Sequence, residues 1–144
     1  MSEGPSEAVI LAWVRLVKAA RLVLAAVETD LKKAGFPPLG WYDVLLELRR
    51  ANKPLRPVEI EGSLLIAQHN VSRLLDRLEV AGYVERSPCE DDGRGRMVTL
   101  SDAGRALLLQ MWPAYRTAIA RNMGEKISEI DSENLGRILR ALID

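Results

Sequence analysis

Residues 67–86 read AQHNVSRLLDRLEVAGYVER, and this stretch decides the fold. Val71, Leu74, Leu75 and Leu78 recur at i, i+3, i+4 and i+7, the apolar stripe of an amphipathic helix, which predicts a helix over 67–81. The opposite face carries His69, Ser72, Arg73, Asp76 and Val80, with Asn70 and Arg77 on its flank. Gly82 is placed to end that helix in a left-handed conformation. Beyond it the period falls to two. Tyr83-Val84-Glu85-Arg86 and Arg96-Met97-Val98-Thr99-Leu100 alternate like strands, with the polar loop from Pro88 to Gly95 between them.

Working outward, Pro57 suits the first position of a short helix over 57–65, joined to the next by a minimal turn. A helix over 40–52 (GWYDVLLELRRAN) precedes it and is closed by Lys53-Pro54. Ser6 can cap a long helix over 7–34, ended by Gly35 and Pro37-Pro38. Its apolar stripe (Val9, Trp13, Leu16, Ala20, Val23, Val27) is broadened by Ile10, Val14, Val17 and Leu24, wider than one neighbour usually covers. After the strands, Ser101 caps a helix over 102–124, which Pro113 is expected to kink. Asp131 or Ser132 starts a last amphipathic helix bearing Leu135, Ile138, Leu139 and Leu142. The expected fold is mainly α with a small β-hairpin wing, an α+β architecture.

Composition narrows the function. The 144 residues, 48% hydrophobic and 28% charged, suit one globular domain rather than a disordered chain. Lys+Arg 20 balances Asp+Glu 20, which excludes a polybasic protein but not a local basic surface. A single Cys excludes a disulfide framework and a Cys-based metal site, and with a single His the chain has few ways to build catalytic machinery. The N-terminus lacks a signal-peptide pattern, and Arg15, Lys18 and Arg21 interrupt the apolar run over 8–27, so no membrane span is expected.

Two short helices followed at once by a hairpin read as a winged helix-turn-helix. The second helix of that motif enters the DNA major groove, its N-terminal half contacting base edges. Here that half offers Gln68, His69, Asn70, Ser72 and Arg73, with Arg77 beyond, and the wing adds Arg94 and Arg96. Gln and Asn pair bidentately with adenine, and Arg with guanine. The alternative for Arg73 is an ordinary solvated helix charge, and for His69 plain exposure.

VSRLLDRLEVAGYVER at 71–86, Asp92-x-Arg94 in the loop and VTLSDAGR at 98–105 resemble the multiple-antibiotic-resistance regulator (MarR) family of bacterial transcription factors. GWYDVLLEL at 40–48 and the mid-helix Pro113 extend the likeness over nearly the whole chain. The resemblance implies a homodimer built on the terminal helices, a wing along the minor groove in which Asp92 orients Arg94, and a small-molecule pocket between base and DNA-binding lobe. Three positions depart from the family habit: Arg56 and Ala67 replace Ser or Thr caps, and Leu65 stands where the turn usually has Gly.

The expected organisation is one domain over 1–144, with a winged helix-turn-helix lobe at 40–101 and dimerisation helices at 7–34 and 102–144. Trp13, Trp41, Tyr42 and Asp43 are candidate ligand contacts; the competing reading of these aromatics is core or dimer interface. Cys89 is followed by Glu90, Asp91 and Asp92, which oppose thiolate formation, so no redox role is assigned to it. No catalytic residue, metal or cofactor is expected. The function expected is a bacterial cytoplasmic, homodimeric regulator of transcription, a repressor relieved by a small aromatic or phenolic ligand. The rival is a winged-helix module that binds protein, which Arg94, Arg96 and the polar face of 67–81 argue against.

Overall fold

The structure, a computed structural model, describes residues 4–88 and 95–144. Cys89, Asp92 and Arg94 lie outside the described residues.

Helix α1 (Glu7–Lys33) starts at Ser6, whose Oγ accepts the Val9 N–H at 3.3 Å. Only Val27 and Leu31, in its last two turns, are buried. Helix α2 (Leu39–Ala51) has no cap of its own, and Glu28 of α1 supplies one: its Oε1 accepts the Leu39 N–H at 2.9 Å. It ends at Asn52, which adopts the left-handed conformation. Helix α3 (Pro57–Ser63) opens with Pro57, and the Glu59 carboxylate accepts the Arg56 backbone N–H at 2.9 Å.

Helix α4 (Val71–Val80) buries the expected stripe Val71, Leu74, Leu75 and Leu78. It begins four residues later than the periodicity predicts, because Asn70 is its N-cap: Oδ1 accepts the Arg73 N–H at 2.9 Å. With α3 ending at Ser63, the connection is not a minimal turn but residues 64–70.

Strands β1 (Val84–Pro88) and β2 (Arg96–Leu100) pair antiparallel, from Val84↔Leu100 to Pro88↔Arg96. Leu55 bridges the other edge of β2, exchanging both backbone bonds with Val98 at 3.0 and 2.8 Å. Helix α5 (Asp102–Ile119) follows, with Ser101 Oγ accepting the Gly104 N–H at 3.0 Å and donating to the Gly82 carbonyl at 2.6 Å. Gly104 lies so close to the wing stem that a Cβ there would collide with the Tyr83 carbonyl oxygen and Leu100 Cδ1.

Helix α5 continues past Pro113, which has no N–H to donate to Leu109, and gives way to a π-helical segment at Ala120–Gly124, where the Glu125 N–H reaches the Ala120 carbonyl at 2.8 Å. Asn122 in that segment donates to Asp30 of α1 at 2.8 Å. Helix α6 (Glu129–Ile143) starts earlier than expected because Ser128, not Asp131 or Ser132, caps it. The core joins the end of α1 to α2, α3, α4, the hairpin and α5, with Leu45, Ile60, Leu75, Leu78, Val98 and Met111 fully buried. No residue of α6 is buried.

Candidate nucleic-acid interface

The burial pattern of α4 leaves Ser72, Arg73, Asp76, Arg77 and Val80 on one exposed face. Among the described residues neither Arg73 nor Arg77 has an ion pair, so both guanidinium groups are available to an anion. Asp76 on the same face is matched by Arg86 of β1, whose Nη2 lies 2.9 Å from Oδ1. Arg86 is the buried member of that pair, with 14% of its side chain exposed against 62% for Asp76. Its Nε also sits 3.9 Å from Glu79, and Arg96 of β2 reaches the other Glu79 oxygen at 3.7 Å. These contacts are ion pairs rather than aligned hydrogen bonds. They remove the repulsion that two carboxylates on α4 would offer a phosphate backbone, and they tie the wing stem to the helix.

The sequence candidates therefore divide. Ser72, Arg73 and Arg77 stand together on α4, and exposed His69 lies just before it. Asn70 is exposed but committed through its side-chain oxygen to capping. Gln68 is half-buried against α2: a Cβ on Gly40 would lie 2.7 Å from its Nε2, so glycine is what lets this amide sit on the α2 backbone. Arg96 is exposed yet engaged with Glu79.

The ligand candidates do not converge either. Trp41 makes an edge contact with Tyr83, ring centroids 6.0 Å apart, and lines neither cavity described below. Trp13, 65% exposed, lines an apolar trough of about 770 Å³ between α1, α5 and α6. Tyr42 and Asp43 face a different space of about 350 Å³, bounded by α2, the 64–66 linker and Tyr115 of α5. One residue of offset along α2 turns Trp41 and Tyr42 by roughly 100° from each other, which separates them. Tyr42 meets Tyr115 edge-to-face at 5.1 Å. Burial raises the pKa of both phenols; nearby Arg49 and Arg50 partly offset it for Tyr42, whereas Asp43 adds to it for Tyr115.

Asp43 itself is 4% exposed. Its Oδ1 accepts the Leu65 N–H at 3.1 Å and its Oδ2 the Ile66 N–H at 2.8 Å. The sequence signal was a lone carboxylate inside WYDVLL, since a buried carboxylate must be partnered. Arg86 and Glu79 were missed as a pair because no local period links a helix residue to a strand across a turn. Among the described residues no cluster of metal-ligating side chains occurs, and no helix is long and apolar enough to cross a membrane.

Comparison with known proteins agrees with this geometry. The MarR family profile matches residues 34–95, from the end of α1 to the wing. The transcriptional regulator PecS of Dickeya dadantii is 39% identical over 69 residues, covering 46% of this chain and 42% of that protein. The match therefore spans less than half of that relative's length. Sco3205, a MarR family transcriptional regulator from Streptomyces coelicolor solved in complex with DNA, superposes with a TM-score of 0.81 at 25% identity, over 99% of this chain and 90% of the other. BpsR of Bordetella bronchiseptica, whose DNA binding is regulated by 6-hydroxynicotinic acid, superposes with a TM-score of 0.79 at 22% identity, over 98% and 99%. The matched relatives are regulators of transcription and not enzymes. In sequence through its helix-turn-helix and in fold along nearly its full length, the chain is similar to MarR family regulators.

Proposed function

We propose that the chain is a homodimeric regulator that reads double-stranded DNA with α4, acting as a repressor released by a small aromatic or phenolic effector. The observation that carries the DNA reading is the exposed face of α4, where among the described residues Arg73 and Arg77 have no ion pair while Asp76 is held by Arg86. Arg73 suits a guanine edge and Arg77 a phosphate. Arg94 in the wing is assigned to the narrow minor groove, oriented by Asp92. Residues 40–101 form the DNA-binding lobe, and 7–34 with 102–144 the dimerisation lobe.

Support for the dimer is the apolar surface left uncovered. Val9, Ile10, Trp13, Val14 and Val17 of α1 are each 46% exposed or more, and Ile130, Ile138, Leu142 and Ile143 of α6 each 53% or more. A second copy is the natural cover for such a face. Support for the effector is the space beside Tyr42 and Tyr115, which combines the two phenols and apolar side chains with Glu47 and Arg50 and touches the linker that leads to α4. The effector contacts are thus Tyr42 with Tyr115, while Trp13 belongs to the dimer trough.

The test is titration of genomic fragments, then of the duplex they define, by fluorescence anisotropy. Two half-sites related by a dyad, about 10 bp between centres, are expected. Binding to a single asymmetric site, or none above random DNA, overturns the reading. A phenolic carboxylate panel should yield a compound that weakens operator binding; compounds that bind without changing it refute the effector claim.

A further inference from the structure

We propose that Asp43 is the positioning residue for α4, acting through a clamp on the consecutive backbone N–H groups of Leu65 and Ile66. The inference rests on the reading of α4 as the DNA-contacting helix. The connection over 64–70 has no regular structure of its own, yet it sets where α4 starts. Two consecutive backbone N–H groups meet the two oxygens of one carboxylate, at 3.1 and 2.8 Å. That geometry fixes orientation as well as position, which one hydrogen bond does not. Two residues further on, Gln68 is seated on Gly40, and Asn70 then caps α4. The linker is thus held to α2 at Leu65, Ile66 and Gln68 before the helix begins.

Stability alone does not account for this carboxylate. Val44, Leu45 and Leu48 already bury α2 in the core, and an interior carboxylate is a poor stabiliser compared with an apolar side chain of similar size. What it supplies is a unique path for a linker whose residue Leu65 is 77% exposed and contributes little packing.

The experiment compares the parent protein with Asp43→Asn and Ile66→Pro. The first places an NH₂ donor against one of the two N–H groups; the second deletes one N–H and leaves α2 intact. Anisotropy is measured on the operator and on a scrambled duplex, well below the unfolding temperature of each variant. Operator affinity is expected to fall about tenfold or more, with binding to the scrambled duplex much less affected. A merely stabilising role would lower the unfolding temperature and leave this ratio alone. Variants that are folded and discriminate as the parent does overturn the proposal. Hydrogen exchange on the parent supplies a second readout: Leu65 and Ile66 amides should exchange as slowly as those of α2, and fast exchange also overturns it. A parent that discriminates no duplex refutes the DNA reading instead, which exchange at Leu65 and Ile66 distinguishes from failure of the clamp.

Discussion

Arg73 sits one turn before Arg77 on α4, and no carboxylate neutralises either among the described residues. Arg73→Ala is expected to cost about 1–3 kcal/mol on the operator and to flatten discrimination between sites. A uniform loss over all duplexes would place Arg73 on phosphate instead. Gly104→Ala is a test of packing rather than of recognition. Its Cβ has nowhere to go between the Tyr83 carbonyl and Leu100, so about 2–3 kcal/mol of stability should be lost, read from denaturant midpoints. At this scale the sequence was readable where one residue type has one use. The buried stripe Val71, Leu74, Leu75 and Leu78 is as expected, but Asn70 had two uses, base contact or cap, and only the three-dimensional path chose the cap.

Among elements, the wing stem and α4 are joined by charge. Arg86 of β1 serves both Asp76 and Glu79, and Arg96 of β2 shares Glu79. Arg86→Met leaves Asp76 without its cation and Glu79 with Arg96 alone, on the helix proposed to approach phosphate. Operator binding should weaken, and the deficit should shrink as salt is added, since the added repulsion is screened. A salt-independent deficit would mean the stem has shifted rather than become more negative. The order of elements was legible because each carries its own period and caps. The linker over 64–70 was not, since its Leu65 and Ile66 amides are satisfied by Asp43, a residue 22 positions earlier than Leu65. The single bridge from Leu55 to Val98 was equally hidden, one residue being too short to show a period.

For the whole molecule, the two apolar helices at the ends of the chain expect a partner. Deleting 131–144 should give an aggregated or unstable protein, and a monodisperse full-length monomer in light scattering would refute the dimer. The buried phenols add a pH limit. Tyr42 and Tyr115 have pKa values raised from 10.0 by burial, so the unfolded chain releases these protons first as pH climbs. Their contribution is complete below 10.0 and disappears as pH rises through the folded values; stability should therefore decline in the alkaline range, tracked by circular dichroism with phenolate absorbance. The likeness to the MarR family could be read from residues 71–105, but the absence of any buried residue in α6 could not, because amphipathic spacing looks the same whether the covering surface belongs to the same chain or another.

That bare α6 also bears on how long the protein survives in a cell. A lone protomer presents α6 and most of α1 without cover, and such segments open readily and are cut first by proteases. Where folding depends on a second copy, the fraction intact rises with concentration. If this chain pairs as proposed, newly made copies at low number should be cleared faster than established ones, and its pool should build with a threshold rather than in proportion to synthesis.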